Sequence, residues 1–90
     1  MEPTVQDVPE AHRYEIRDGD QVLGHAAYRR DHGQVVFTHT EIDAEGSGLG
    51  SRLVRAALDD ARSRGERVVP ECPFVAGWID RHPDYADLLA

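Results

Sequence analysis

Lysine is missing from this sequence: all ten basic residues are arginine, against 17 carboxylates, giving a formal net charge of −7. Without lysine there is no Walker-type P-loop, whose final glycine must be followed by Lys. An acidic chain repels phosphate backbones, so general nucleic-acid binding is not expected, whereas a cationic substrate such as an amine is tolerated or attracted. Cysteine occurs once, at Cys72, which excludes an internal disulfide and, lacking several well-spaced partners, a zinc site. No apolar run approaches the ~20 residues a membrane span requires. The opening MEPTVQDVPEAHR is acidic and contains proline, the opposite of a signal or transit peptide, so a cytoplasmic location is expected.

What is present fits one domain with one core: 90 residues, 40% hydrophobic and 30% charged. Residues 1–10, with Pro3 and Pro9 and no periodicity, read as a flexible lead-in, leaving residues 11–90 as the domain. HRYEIR (12–17) alternates as a strand, Asp18-Gly19-Asp20 turns, and QVLGHAAY (21–28) reads as a second strand with Gly24 at a bulge. After the polar turn 29–33, QVVFTHT (34–40) is the strongest strand, rich in β-branched and aromatic residues. Short links imply an antiparallel meander. Leu49, Leu53, Val54, Ala57, Leu58 and Ala61 then fall on one helical stripe, and Gly65 is placed to end that helix. ERVVP (66–70) reads as a further strand, and Pro73 opens a C-terminal helix through Arg81, stopped by His82-Pro83. The fold class is α+β, in the order βββ, glycine loop, central helix, strand, helix.

The segment IDAEGSGLGS (42–51) places Gly46, Gly48 and Gly50 between a strong strand and a clean helix. Such glycines let successive N–H groups converge on an anion, and the helix start adds its positive dipole end. A phosphate or pyrophosphate cradle is one reading; a simple connection is the other. A dinucleotide-binding fold suits the segment poorly, because the preceding strands read as antiparallel and the chain is short for a doubly wound sheet. Cys72, between Pro70 and Pro73, occupies a strand end and the N-cap of the last helix, where a thiolate is favoured; Glu71 beside it opposes ionisation. On the residues alone, Cys72 is either a small core hydrophobe or a reactive thiol.

FTHTEI, EGSGLGSRLVRAALDDAR and VVPECPFVAGWIDRHPDY, in this order over about residues 14–88, resemble the Gcn5-related N-acetyltransferase (GNAT) superfamily. The likeness is to its short single-domain subfamily with a Cys-Pro-Phe-Val block. The resemblance implies acetyl-CoA or CoA as co-substrate and a small or protein amine as acceptor. It implies that the amides of Gly46, Ser47, Gly48, Leu49, Gly50 and Ser51 take the pyrophosphate, with Thr40 and Ile42 along the pantetheine arm. Ser47 and Ser51 either donate to phosphate or cap the helix. The resemblance also places Cys72 beside the acetyl group and makes His39 the candidate base. Attack by the amine directly, or through an acetylated Cys72, are both open.

Three departures from the superfamily stand out. Glu45 occupies a place commonly held by Arg or Gln. Trp78 or Ile79 stands where a tyrosine acid is usual, with Tyr85 either its substitute or a residue packed on the sheet. The substrate-binding helices of longer members are missing, which implies an open acceptor side. The alternative to an N-acetyltransferase is a non-catalytic CoA or acyl-CoA binding module. A monomer or weak dimer is expected.

Overall fold

The computed structural model describes residues 3–43 and 48–90. Its five-stranded sheet has the order β1-β2-β3-β4-β5, with β1 Thr4–Val8, β2 Arg13–Asp18, β3 Gln21–Asp31, β4 Gln34–Ile42 and β5 Arg67–Pro70. The first four strands are antiparallel, and β5 joins β4 in parallel through the crossover helix α1 Leu49–Ser63. Helix α2, Pro73–Arg81, and a 3-10 segment, Pro83–Leu88, complete the chain. Among the described residues no helix is long and apolar enough to cross a membrane.

The lead-in expected over residues 1–10 is corrected by β1, which pairs with β2 from Thr4↔Arg17 to Val8↔Arg13. Pro3 and Pro9 bound this edge strand and so remove no ladder donor from it. The Asp7 carboxylate, turned toward α1, accepts hydrogen bonds from Tyr28 Oη, Arg30 and Arg64. The meander continues through His32 and Gly33, whose successive positive φ values suit a two-residue β3–β4 hairpin.

Both helices cover the same face of the sheet. Leu53, Val54, Ala57, Leu58 and Ala61 of α1 and Val75, Trp78 and Ile79 of α2 form one core with Tyr14, Ile16, Ala26, Phe37 and Val68. The α1 stripe is therefore buried as its spacing requires. Gly65, at φ 70, ends α1 with Glu66 N–H donating to Ala61 O and Gly65 N–H to Arg62 O, the paired bonds of a Schellman turn. The opposite sheet face carries no helix. There Glu15 is buried between Arg13 and Arg17, which donate to its two oxygens. Burial alone would raise the Glu15 carboxyl; the hydrogen bonds from Arg17 and Arg13 outweigh it and hold the group below the usual carboxylate range.

Two bulges set which side chains reach which face. One lies where the β2–β3 register shifts between Ile16 and Arg17, leaving Leu23 extra beside Gly24, close to the expected position. The other lies in β4, where Tyr28 pairs with Phe37 but Ala27 with His39, so that Thr38 is extra. Strict alternation from Phe37 would turn His39 toward the helices. The extra residue reverses this, turning Thr40 toward the helices and His39 to the open face.

Candidate functional site

The site is built where β4 and β5 part. Their pairing runs only from Gln34↔Arg67 to Phe37↔Pro70. One more backbone bond, Cys72 N–H to Phe37 O at 2.9 Å, pins the end of β5 before the chain turns into α2. Pro73 at the first helical position fixes that turn, with Cys72 as the N-cap and Ala76 N–H donating to Cys72 O. β4 continues to Ile42 beside β3 alone, so the two strands open into a V whose mouth faces the start of α1.

Cys72 sits at the apex, 4% exposed, with Sγ 3.4 Å from Thr40 Oγ1. Its sulfur does not cap the helix; it is turned toward β4. His39 is the next residue along from Thr40 but lies on the other face of the sheet, largely exposed. There His39 Nε2 is 3.4 Å from Glu41 Oε1, and His25 Nε2 is 3.7 Å from Glu41 Oε2. The two imidazole rings are 6.2 Å apart. The parted strands thus carry a thiol–hydroxyl pair on the helix side and a His–Glu–His group on the open side.

At the mouth, Gly48 is the N-cap of α1, at φ 79, a conformation that favours glycine. Gly50 is required for a different reason. A Cβ there would lie 2.6 Å from Phe74 Cζ and 3.4 Å from Ile42 Cγ1. Leu49 is buried in the core, so only its main chain can meet a ligand. Arg52 N–H donates to Gly48 O, which starts the helix ladder. The N–H groups of Gly50 and Ser51, in the first turn, have no acceptor one helical turn back. The Ser51 hydroxyl accepts a hydrogen bond from Trp78 Nε1 at 2.9 Å, which ties α2 to α1. Ser51 is consequently in the first turn and not the cap, correcting one of its two expected roles. Gly46, Ser47 and Glu45 lie outside the described residues.

Tyr85, weighed as a substitute acid or a residue packed on the sheet, belongs to the core cluster shared by helices and sheet. It is buried against the helices, 4.9 Å from the Trp78 ring, with Oη donating to Asp59 at 2.8 Å and accepting from Arg55. Burial and the Asp59 hydrogen bond push its phenol above the ordinary value. Sequence reasoning missed His25 and Glu41 as neighbours of His39. Their meeting depends on the β3–β4 register, which pairs His25 with Glu41, and a single sequence carries little signal for a cross-strand register displaced by a bulge.

The comparisons with known proteins agree with this geometry. Residues 13–88 match the family model described as GCN5-related N-acetyl-transferase. The fold superposes with a TM-score of 0.76 on the NMR solution structure of a GCN5-like protein from Staphylococcus aureus, at 22% identity. That alignment covers 97% of this chain and 87% of the other. No curated protein matches. A sheet parted beside a glycine-started helix, with a family match over most of the chain, places this protein in the GCN5-related N-acetyltransferase family.

Proposed function

We propose that the protein is a small acetyl-CoA-dependent N-acetyltransferase in which the parted β4 and β5 hold the acetyl-pantetheine end. The observation that carries this reading is the closeness of three features, with Gly50 beside Ile42 at the mouth and Thr40 two residues back along β4. These are the N-terminus of α1 at Gly48–Ser51, the β4 edge at Ile42, and the buried Thr40–Cys72 pair at the apex. The first supplies N–H donors and a positive dipole end for a pyrophosphate, and with Glu45 standing where the superfamily commonly has Arg or Gln, the amides take the larger share of that contact. The second supplies a strand edge for the amides of pantetheine. The third supplies a buried thiol and a hydroxyl at which the thioester would end.

The acceptor amine approaches from the open sheet face. Its nitrogen forms a bond to the thioester carbonyl carbon, the carbon–sulfur bond breaks, and CoA leaves as a thiolate. An amine arriving as its cation first gives up one proton to the group of His39, Glu41 and His25, where an imidazole is within reach of a carboxylate, and the second proton, lost as the amide forms, neutralises the departing thiolate. Glu41 and the net acidity of the chain also favour a cationic amine over an anionic acceptor.

Direct attack suits this arrangement better than relay through Cys72. Activation of a thiol requires a neighbouring base or positive group. The side-chain contact made by Cys72 is to the Thr40 hydroxyl, and His39, the residue before Thr40, points to the opposite face. Measuring CoA release across a panel of primary amines tests the activity. The Cys72→Ala variant separates the routes: direct attack predicts kcat within about tenfold of wild type and no acetyl-enzyme with labelled acetyl-CoA. A labelled wild-type enzyme, with turnover abolished by Cys72→Ala, would establish the covalent route instead. Acetyl-CoA binding without release on any amine would leave a binding module.

A further inference from the structure

We propose that the Phe74 ring is a plug: it occupies the channel that pantetheine takes in the acetyl-CoA site and turns aside when the co-substrate seats. The inference rests on the proposed acetyl-CoA site and assigns that site a residue controlling entry.

Phe74 follows Cys72 by two residues in the first turn of α2, yet it is 41% exposed where Cys72 is 4%. Its ring is not directed into the core beneath α2. It crosses the V, so that the point where a Gly50 Cβ would stand has Phe74 Cζ 2.6 Å away and Ile42 Cγ1 3.4 Å away. The ring therefore touches α1 at its second residue and lies next to the last residue of β4, bridging both arms of the mouth. Those arms are the expected seats of the pyrophosphate and of the upper pantetheine. A phenyl ring and a pantetheine chain cannot occupy this gap together.

Gly50 is what lets the ring lie there. Its φ is not in the left-handed region, so the backbone does not demand glycine; the ring fills the space that the missing side chain leaves. A half-exposed side chain in a first helical turn changes rotamer without moving the main chain, on a fast timescale compared with binding. The apparent affinity then equals the intrinsic affinity reduced by the fraction of molecules with the ring turned aside.

Nuclear Overhauser contacts in the full-length protein test this directly. Free protein should show contacts from the Phe74 ring protons to the Gly50 Hα and the Ile42 methyls. Saturation with acetyl-CoA should remove them, while contacts between Trp78 and Ser51 persist. The Phe74→Ala variant should bind acetyl-CoA about threefold tighter or more, since no ring has to be displaced. Contacts that persist in the complex, or weaker binding by Phe74→Ala, would make the ring a wall of the site and overturn the plug alone. If the wild-type protein shows no acetyl-CoA binding, the proposed function fails and the plug fails with it.

Discussion

The two ends of α1 are built from opposite materials. At its C-terminal end, polar groups are locked together: Tyr14 Oη donates to Asp60 at 2.6 Å and accepts from Arg30 at 2.9 Å. Arg30 also reaches Glu66 at 2.8 Å and Asp7, and Arg64 joins Asp7 to Asp60. At the N-terminal end, the polar side-chain links include the Thr40–Cys72 and Ser51–Trp78 pairs, beside Gly48, Gly50 and the exposed Phe74. The first end closes the sheet against its crossover helix. The second leaves strand edge and helix amides for a ligand. A site that must admit a long, flexible co-substrate is drawn from the less constrained part of a fold, and the constrained part keeps the arms of the V in position.

The closed end also shows what burial does to titratable groups. Burial, followed by the hydrogen bond to Asp7, pushes the Tyr28 phenol up to about 12. Burial and Asp60 act on Tyr14 in the same direction. Both stay neutral donors through the physiological range, as their roles as bridges to carboxylates require. Arg30 packs over the Tyr28 ring at 4.4 Å while its guanidinium serves two carboxylates, so one residue combines packing with charge neutralisation.

The contrast is broken most severely at Arg30. Arg30→Ala strands the mostly buried Glu66 carboxylate, removes one of the donors to Asp7, and should cost about 3–5 kcal/mol in urea denaturation. In whatever fraction stays folded, acetyl-CoA affinity should change little, because the closed end does not touch the ligand. Gly24→Ala is the next largest change. The added methyl would meet Glu41 O at 2.7 Å and Ile42 Cδ1 at 2.6 Å, and the backbone oxygen cannot simply swing away. A loss of about 1–3 kcal/mol is expected, now accompanied by weaker acetyl-CoA binding, since the β4 edge itself is displaced. Equal affinity in this variant would argue against the β4 edge as the pantetheine seat.

A smaller effect is expected at Glu15, on the face that neither helix covers. Because its carboxyl is held below the ordinary value in the fold, its contribution is present at neutral pH and lost as pH falls through the folded pKa. Thermal melts of wild type should therefore fall on acidification below about pH 4, near the unfolded carboxylate range. Glu15→Gln should begin lower at pH 7 and fall less steeply over the same interval. A variant whose melting profile parallels wild type would show that the Arg13–Glu15–Arg17 clamp contributes nothing measurable.

Much of the architecture was legible in the chain, for identifiable reasons. The α1 stripe, Gly65 and Pro73 mark their elements through local chemistry that tertiary contacts do not override. The strand β1 was not legible, because Val5 and Val8 offer too little alternation and its carboxylate Asp7 is satisfied only by Tyr28, Arg30 and Arg64, all distant in sequence. Within the site, glycine spacing pointed to the helix start, and the prolines around Cys72 pointed to an N-cap. The face on which His39 lies depended on one extra residue, Thr38, and nothing in a β-branched run announces a bulge. The same is true of Phe74, whose position follows from the missing side chain of Gly50 some distance away in the sequence.

The central claim is that the splayed end binds acetyl-CoA and the closed end does not. An amide chemical-shift titration of the whole chain with acetyl-CoA tests it most directly. The account predicts saturable shifts at Ile42, Gly48 to Ser51, Cys72 and Phe74, with Asp7, Tyr14 and Arg30 unmoved. Shifts confined instead to the 480 Å³ cleft lined by Arg62, Gly65, Glu66, Arg67, Asp87 and Leu88 at the closed end, or no shifts at all, would contradict it.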